Sequence, residues 1–123
     1  MVKEDKQENT AFLKESVAYL EKKGFENIKA DVEGYDTPKS YHKKGSDVVI
    51  TPDIVADRAG IKHYFEVSLK SDKPSLLKSK WKFLDTLTRM RNQRFKIITR
   101  RGHYKFTDEM LKDLNLEKKM IKL

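Results

Sequence analysis

Two strand-length runs that meet at a glycine constrain this chain more than any other feature. Ile54-Val55-Ala56-Asp57 leads into a turn at Arg58-Ala59-Gly60, and Lys62 to Lys70 follows with Phe65, Val67 and Leu69 alternating against more polar neighbours. Alternation of this kind, broken by a glycine turn, reads as a β-hairpin. Such a hairpin can bring Asp53, which follows Pro52, beside Glu66, thirteen residues further on. Adjacent carboxylates repel each other unless a cation lies between them. The pair is therefore a candidate divalent-metal site, for Mg²⁺ or Mn²⁺. Mg²⁺ held by one or two carboxylates on a basic protein points to phosphodiester chemistry.

The flanking sequence supplies helices and further strands. Residues 1–9 read as a charged, disordered lead, and residues 10–123 as a single domain. Asn9 or Thr10 can cap a helix from Ala11 to Lys23, with Leu13, Val17 and Leu20 as its buried stripe and Phe12 and Ser16 on one flank. Gly24 ends it, and Phe25 can fold back on the last turn. Ile28, Ala30 and Val32 alternate with charged residues as a half-buried strand. Residues 34–45 read as a polar loop, and residues 47–51 as the start of a second strand region that Pro52 interrupts. After the hairpin, Pro74 opens a helix that runs to about Asn92, with Leu76, Leu77, Trp81, Leu84, Leu87 and Met90 on its inner face. A short strand at Phe95–Thr99 follows, and Thr107 caps a last helix carrying Asp108 and Glu109 in its first turn. The order αβββαβα implies an α/β (α+β) fold, a small mixed sheet flanked by helices.

Composition narrows the function classes. A chain of 123 residues is one domain, and 37% apolar residues allow one modest core. No run approaches the length of a membrane span, so no membrane partner is expected. Residues 1–8 lead into no apolar stretch, so no signal peptide is expected. The chain has no cysteine, which excludes thiol catalysis, disulfides and cysteine-bound zinc and suits a cytoplasmic setting. The net charge of +8 favours a polyanion such as nucleic acid.

The Asp53 and Glu66 arrangement, with the helix and strand order around it, resembles the PD-(D/E)XK nuclease superfamily over residues 10–101. That resemblance implies a restriction-endonuclease-like fold, Mg²⁺-dependent hydrolysis of DNA, and metal ligation by Asp53 and Glu66. The family pattern continues Glu-x-Lys, whereas this chain has Ser68 two residues after Glu66. On the strand, Tyr64, Glu66, Ser68 and Lys70 share one face, and Phe65, Val67 and Leu69 share the other, read as the core face. The polar face would then line the site. Lys70 lies on it, about 7 Å beyond Ser68 by strand rise. Lys80 falls among Leu76, Leu77, Leu84 and Leu87 on its helix, where a lone ammonium needs a partner or an exit to water. The superfamily is known for lysines that migrate to this helix, which favours Lys80 as the second candidate. The resemblance also suggests Glu15, on the first helix, as a further metal ligand. Asp47 and Asp57 are weaker, and His42, His63 and His103 have no ligand spacing.

A dense basic stretch includes Arg91, Arg94, Arg100 and Arg101, and Lys43 and Lys44 lie on the earlier loop. With aromatic residues interleaved, these resemble phosphate-contacting walls. The sequence therefore reads as a metal-dependent endo- or exodeoxyribonuclease, with DNA rather than RNA as partner, and the resemblance allows a homodimer. The rival readings are an inactive nucleic-acid-binding module on the same fold and a basic protein-interaction domain.

Overall fold

A computed structural model of the chain describes residues 6–116 and 120–123, with side chains from residue 9 onward. Helix α1 (Lys6–Lys22) begins before the expected cap, so residues 6–9 are helical and not part of a lead. Residues 1–5 of that expected lead lie outside the described residues. Phe12, Leu13, Ser16, Val17 and Leu20 recur at the three-to-four spacing of one helix face, and all are buried. Gly24, at φ +86°, takes the left-handed conformation that ends the helix, and the Phe25 N–H donates to Leu20 O at 3.1 Å.

Strand β1 (Glu26–Ala30) pairs antiparallel with β4 (Ile54–Arg58), interrupted by an irregularity between Glu26 and Lys29, where Asn27 sits at φ +52°. It is displaced from the expected alternation, leaving Val32 outside it. Strands β2 (Tyr41–His42) and β3 (Val49–Ile50) form a separate two-stranded sheet. Residues 47–51 therefore do not join the main sheet as expected. Pro52 has no N–H with which to carry β3 into β4. Part of the expected 34–45 loop is β2.

The hairpin of β4 and β5 (Ile61–Ser68) is registered from Ile54↔Phe65 to Arg58↔Ile61. Ala59 at φ +52° and Gly60 at φ +77° make its two-residue turn, both left-handed as a type I′ turn requires. Helix α2 (Pro74–Met90) crosses over to β6 (Arg94–Thr99), which runs parallel to β5. Helix α3 (Tyr104–Asp113) leads to β7 (Met120–Lys122), parallel to β6 and unanticipated in the sequence. The main sheet has the order β1-β4-β5-β6-β7, antiparallel on one side and parallel on the other. The protein is thus a mixed α/β domain with three helices among the described residues.

Both faces of the sheet are covered. Helix α1 packs on one face against Ile54, Phe65, Val67 and Ile98. Helices α2 and α3 pack on the other against Val55, Tyr64, Phe95 and Ile97, through Leu77, Trp81, Leu84, Met110 and Leu111. The face of β5 carrying Tyr64, Glu66 and Ser68 is therefore buried, correcting the reading of it as an open polar face. The inner face of α2 is also narrower than expected. At 3.6 residues per turn, Met90 points about 180° and Leu76 about 140° away from the buried Trp81. They are 81% and 61% exposed, and Leu87 is half-buried. Thr107 does not cap α3, which starts at Tyr104; its hydroxyl is engaged with the sheet instead.

Candidate active site

Backbone pairing of β4 with β5 stops at Ile54 and Phe65, and two side chains take over from it. The Asp53 N–H donates to Glu66 Oε2 at 2.7 Å, and the Val67 N–H donates to Asp53 Oδ2 at 3.0 Å. Each carboxylate therefore closes off the other strand's backbone, which orients both side chains. Their second oxygens converge on one cation. Lys80 Nζ lies 3.1 Å from Asp53 Oδ1 and 2.9 Å from Glu66 Oε1. The first contact is a hydrogen bond, whereas Glu66 Oε1 meets the ammonium as a charge contact out of hydrogen-bond alignment. Lys80 sits at the flank of the buried face of α2, about 100° round from Trp81. From there its stem can pass over Leu77 while its ammonium reaches the strands.

The electrostatics follow from burial. Glu66 is 0% exposed, and burial, reinforced by the charge of Asp53, pushes its carboxyl up to about 7 although Lys80 pulls it down. Burial also raises Asp53, but the Lys80 charge and the Val67 N–H outweigh it, so Asp53 titrates below its ordinary value. Burial alone would lower Lys80; the two carboxylates more than reverse this, and its ammonium is held charged. At neutral pH Asp53 is an anion, Lys80 a cation, and Glu66 is poised between its two forms.

Asp53 Oδ1 and Glu66 Oε1 suit a Mg²⁺ or Mn²⁺ ion that takes two carboxylate oxygens and keeps several waters. A larger all-protein cage is not formed: no group of three acidic, histidine or cysteine side chains able to hold a metal is found among the described residues. Glu15 is exposed on α1 and does not join the pair. Lys70 is exposed at the end of β5, where its backbone N–H donates to His103 Nδ1 at 2.8 Å. The structure thus brings Asp53, Glu66 and Lys80 together and leaves Lys70 and Glu15 apart from them.

Ser68, two residues after Glu66 on β5, is held in a buried chain of hydroxyls. Its hydroxyl meets Thr107 Oγ1 at 2.7 Å, Thr107 donates to Thr99 Oγ1 at 3.1 Å, and Thr99 donates to Ser68 O at 2.8 Å. All three residues are fully buried. This hydroxyl chain docks α3 on the sheet. The pattern of Ser68, Thr99 and Thr107 was present in the sequence, but no local spacing links residues on two strands and a helix.

Two clefts reach the triad. One of about 450 Å³ is lined by Asp31, Thr37, Ser40, Thr51 and Asp53, among others. The other, about 440 Å³, lies between β3 and α2 and includes Val49, Thr51, Leu76, Ser79 and Lys80. Thr51 borders both, and its hydroxyl meets Ser40 Oγ at 2.6 Å. Ser40 and Thr51 were not among the site residues expected from the sequence.

The basic residues do not form one surface. The pairing Ser68↔Thr99 sets Arg100 and Arg101 just past the end of β6 nearest Glu66. Arg94 pairs with His63 and so lies three residues, about 10 Å, from the level of Glu66 in the opposite direction along β6. Arg91 and Arg94 therefore belong to the far end, where Arg91 also borders a cleft of about 640 Å³ around the β4–β5 turn. Arg100 stacks on Phe12 and Arg91 on Tyr41. Lys43 and Lys44 are exposed between β2 and β3. No family model, curated protein or solved structure matches this chain. No helix among the described residues is long and apolar enough to cross a membrane.

Proposed function

We propose that this protein is a metal-dependent nuclease of restriction-endonuclease-like fold that hydrolyses phosphodiester bonds of DNA. The observation that carries the reading is the convergence of two buried carboxylates from adjacent strands on Lys80 Nζ, on a chain with net charge +8. Setting the small β2–β3 sheet aside, the order from α1 to β6 is α-β-β-β-α-β, which supports the same fold. Asp53 and Glu66 would hold Mg²⁺ or Mn²⁺. That ion, when bound, supplies a Lewis acid for the phosphoryl oxygen and lowers the pKa of its water. Lys80 offers a positive charge for the charge that develops on the phosphate. Arg100 and Arg101, at the same end of the sheet, offer contacts to the flanking phosphates.

The pairing within the triad favours a second reading. An ammonium already held between two buried carboxylates can serve purely as a structural ion-pair cluster, on a nucleic-acid-binding module without activity. Incubation of linear and circular duplex DNA, and of single strands, with Mg²⁺ or Mn²⁺ separates the two. The enzyme reading expects cleavage that EDTA stops and that Glu66→Gln abolishes. Salt-sensitive binding without cleavage in either metal establishes the binding module instead.

A further inference from the structure

The carboxylate oxygens that would hold a metal are the ones Lys80 already occupies. Oδ2 of Asp53 and Oε2 of Glu66 accept backbone N–H groups, so only Oδ1 and Oε1 face the site, and Nζ lies within 3.1 and 2.9 Å of them. A cation held by these two oxygens, on the side they face, takes the space that Nζ fills. The two positive charges also repel at such separation. Lys80 has another place to go. Its side chain is 16% exposed and lines the cleft between β3 and α2, where Thr51 and Ser79 bear hydroxyls and Val49 and Leu76 are exposed apolar walls. An ammonium turned into that cleft, beside two hydroxyl donors, suits a phosphate oxyanion.

Resting on the nuclease reading above, we infer that the site takes a divalent cation and a phosphodiester as a coupled pair, with Lys80 handed from the carboxylates to the phosphate. The cation alone must displace the lysine from its partners. The phosphate alone meets a lysine already paired. Together, each gives the other what it needs, so each raises the other's affinity by the same factor. Lys80 is then both a competitor for the metal position and the phosphate's partner, and these roles predict opposite effects of removing it.

The test is calorimetric titration of Mn²⁺ into wild type, Lys80→Met, Lys80→Gln and Asp53→Asn, with and without a saturating dithymidine phosphorothioate. Expected is Mn²⁺ affinity at least tenfold higher in Lys80→Met than in wild type. The dinucleotide should raise wild-type Mn²⁺ affinity at least fivefold and leave Lys80→Met unchanged, and Asp53→Asn should bind no Mn²⁺. If Lys80→Met binds Mn²⁺ no more tightly than wild type while Asp53→Asn loses it, the metal site stands and the handover is wrong. Coupling that persists without the lysine overturns its phosphate half. Binding of Mn²⁺ that is absent throughout, or indifferent to Asp53→Asn, overturns the nuclease reading itself. Should either Lys80 variant fold only when Mn²⁺ is added, the metal has taken the lysine's place, as inferred; failure of both to fold with or without Mn²⁺ overturns the inference.

Discussion

Replacing Glu66 by glutamine should remove a pH dependence of stability that the wild type carries. In the folded protein the Glu66 carboxyl is raised from an ordinary value of 4.5 to about 7 by burial and by Asp53. A raised value means that the folded state holds its proton longer than the unfolded chain does. The stabilisation is therefore full below about pH 4.5 and is lost as pH rises through about 7. Integrated from pH 5 to pH 8, the loss is about 2–3 kcal/mol at roughly 1.4 kcal/mol per pKa unit. Because Glu66 has no exposure, solvent screening does not discount this figure. Two other groups move in the same experiment. Asp53 is lowered, so its contribution is lost only as pH falls through acid values below the window. His63 is lowered by burial and by Lys96, Arg94 and Arg58, and its contribution is lost as pH falls, opposite to Glu66. His63 is common to both proteins and cancels in the difference. Glutamine in this place can accept the Asp53 N–H, but its amide then faces Lys80 donor to donor, which costs about 1–3 kcal/mol at any pH. Urea unfolding at half-unit steps from pH 5 to 8, in EDTA, should show wild type more stable at pH 5 and the gap closing by about 2–3 kcal/mol at pH 8. Parallel curves, with a gap constant to about 0.5 kcal/mol, would refute the electrostatic account of the triad.

Three further outcomes follow from other parts of the molecule. Ser68→Lys should not strengthen activity; it should cost several kcal/mol, because it buries an ammonium among Thr99 and Thr107, and a thermal melt will show it. Ala59→Asn should stabilise by about 0.5–1 kcal/mol, since Ala59 is held at φ +52° and asparagine tolerates that conformation ahead of Gly60; an unchanged or lowered urea midpoint contradicts the turn assignment. Duplex DNA binding should fall with salt at a slope of roughly −4 to −5, if about five phosphates are neutralised. Arg100→Ala with Arg101→Ala should then flatten that slope and slow cleavage, while Arg91→Ala with Arg94→Ala, at the far end of β6, should leave cleavage of bound substrate unchanged.

The hairpin was legible because its information is local. Gly60, the alternation through Phe65, Val67 and Leu69, and the thirteen-residue spacing from Asp53 to Glu66 are all contained in one stretch. Lys80 was legible in part: an isolated cation among Leu76, Leu77, Leu84 and Leu87 needed a partner, and the helix phase placed it near the buried side. What failed depended on contacts between distant segments. The burial of Glu66 and Ser68 comes from α2 and α3 covering a face whose own sequence is polar. Thr107 looked like a helix cap because its following residues are acidic, yet a hydroxyl that can reach Ser68 and Thr99 is worth more inside the helix than at its end. The basic stretch 91–101 looked continuous, but strand β6 separates its two halves by its own length. Strand β7 rests on three residues that borrow their pairing from Ile97–Thr99.

The position of the site lysine follows from the way the third helix is attached. In this fold a lysine two residues after Glu66 would project from β5 toward α3. Here that volume is taken by a buried chain of three hydroxyls, and polar groups so enclosed stay only if each finds a partner. A lysine there would have to displace Thr107 and loosen α3, and with it the covering of β6 by Met110 and Leu111. The cation that the carboxylates meet comes instead from α2, which packs on the same face beside α3. Of its lysines, Lys78 is paired with Asp113 and Lys82 is exposed, while Lys80 alone has the phase to reach inward. The helix position of Lys80 bears on the proposed chemistry. A strand lysine is fixed beside the carboxylates, whereas one on a helix flank with a cleft beside it has a long stem that can point in either of two directions, and a coupled exchange between metal and phosphate needs that freedom.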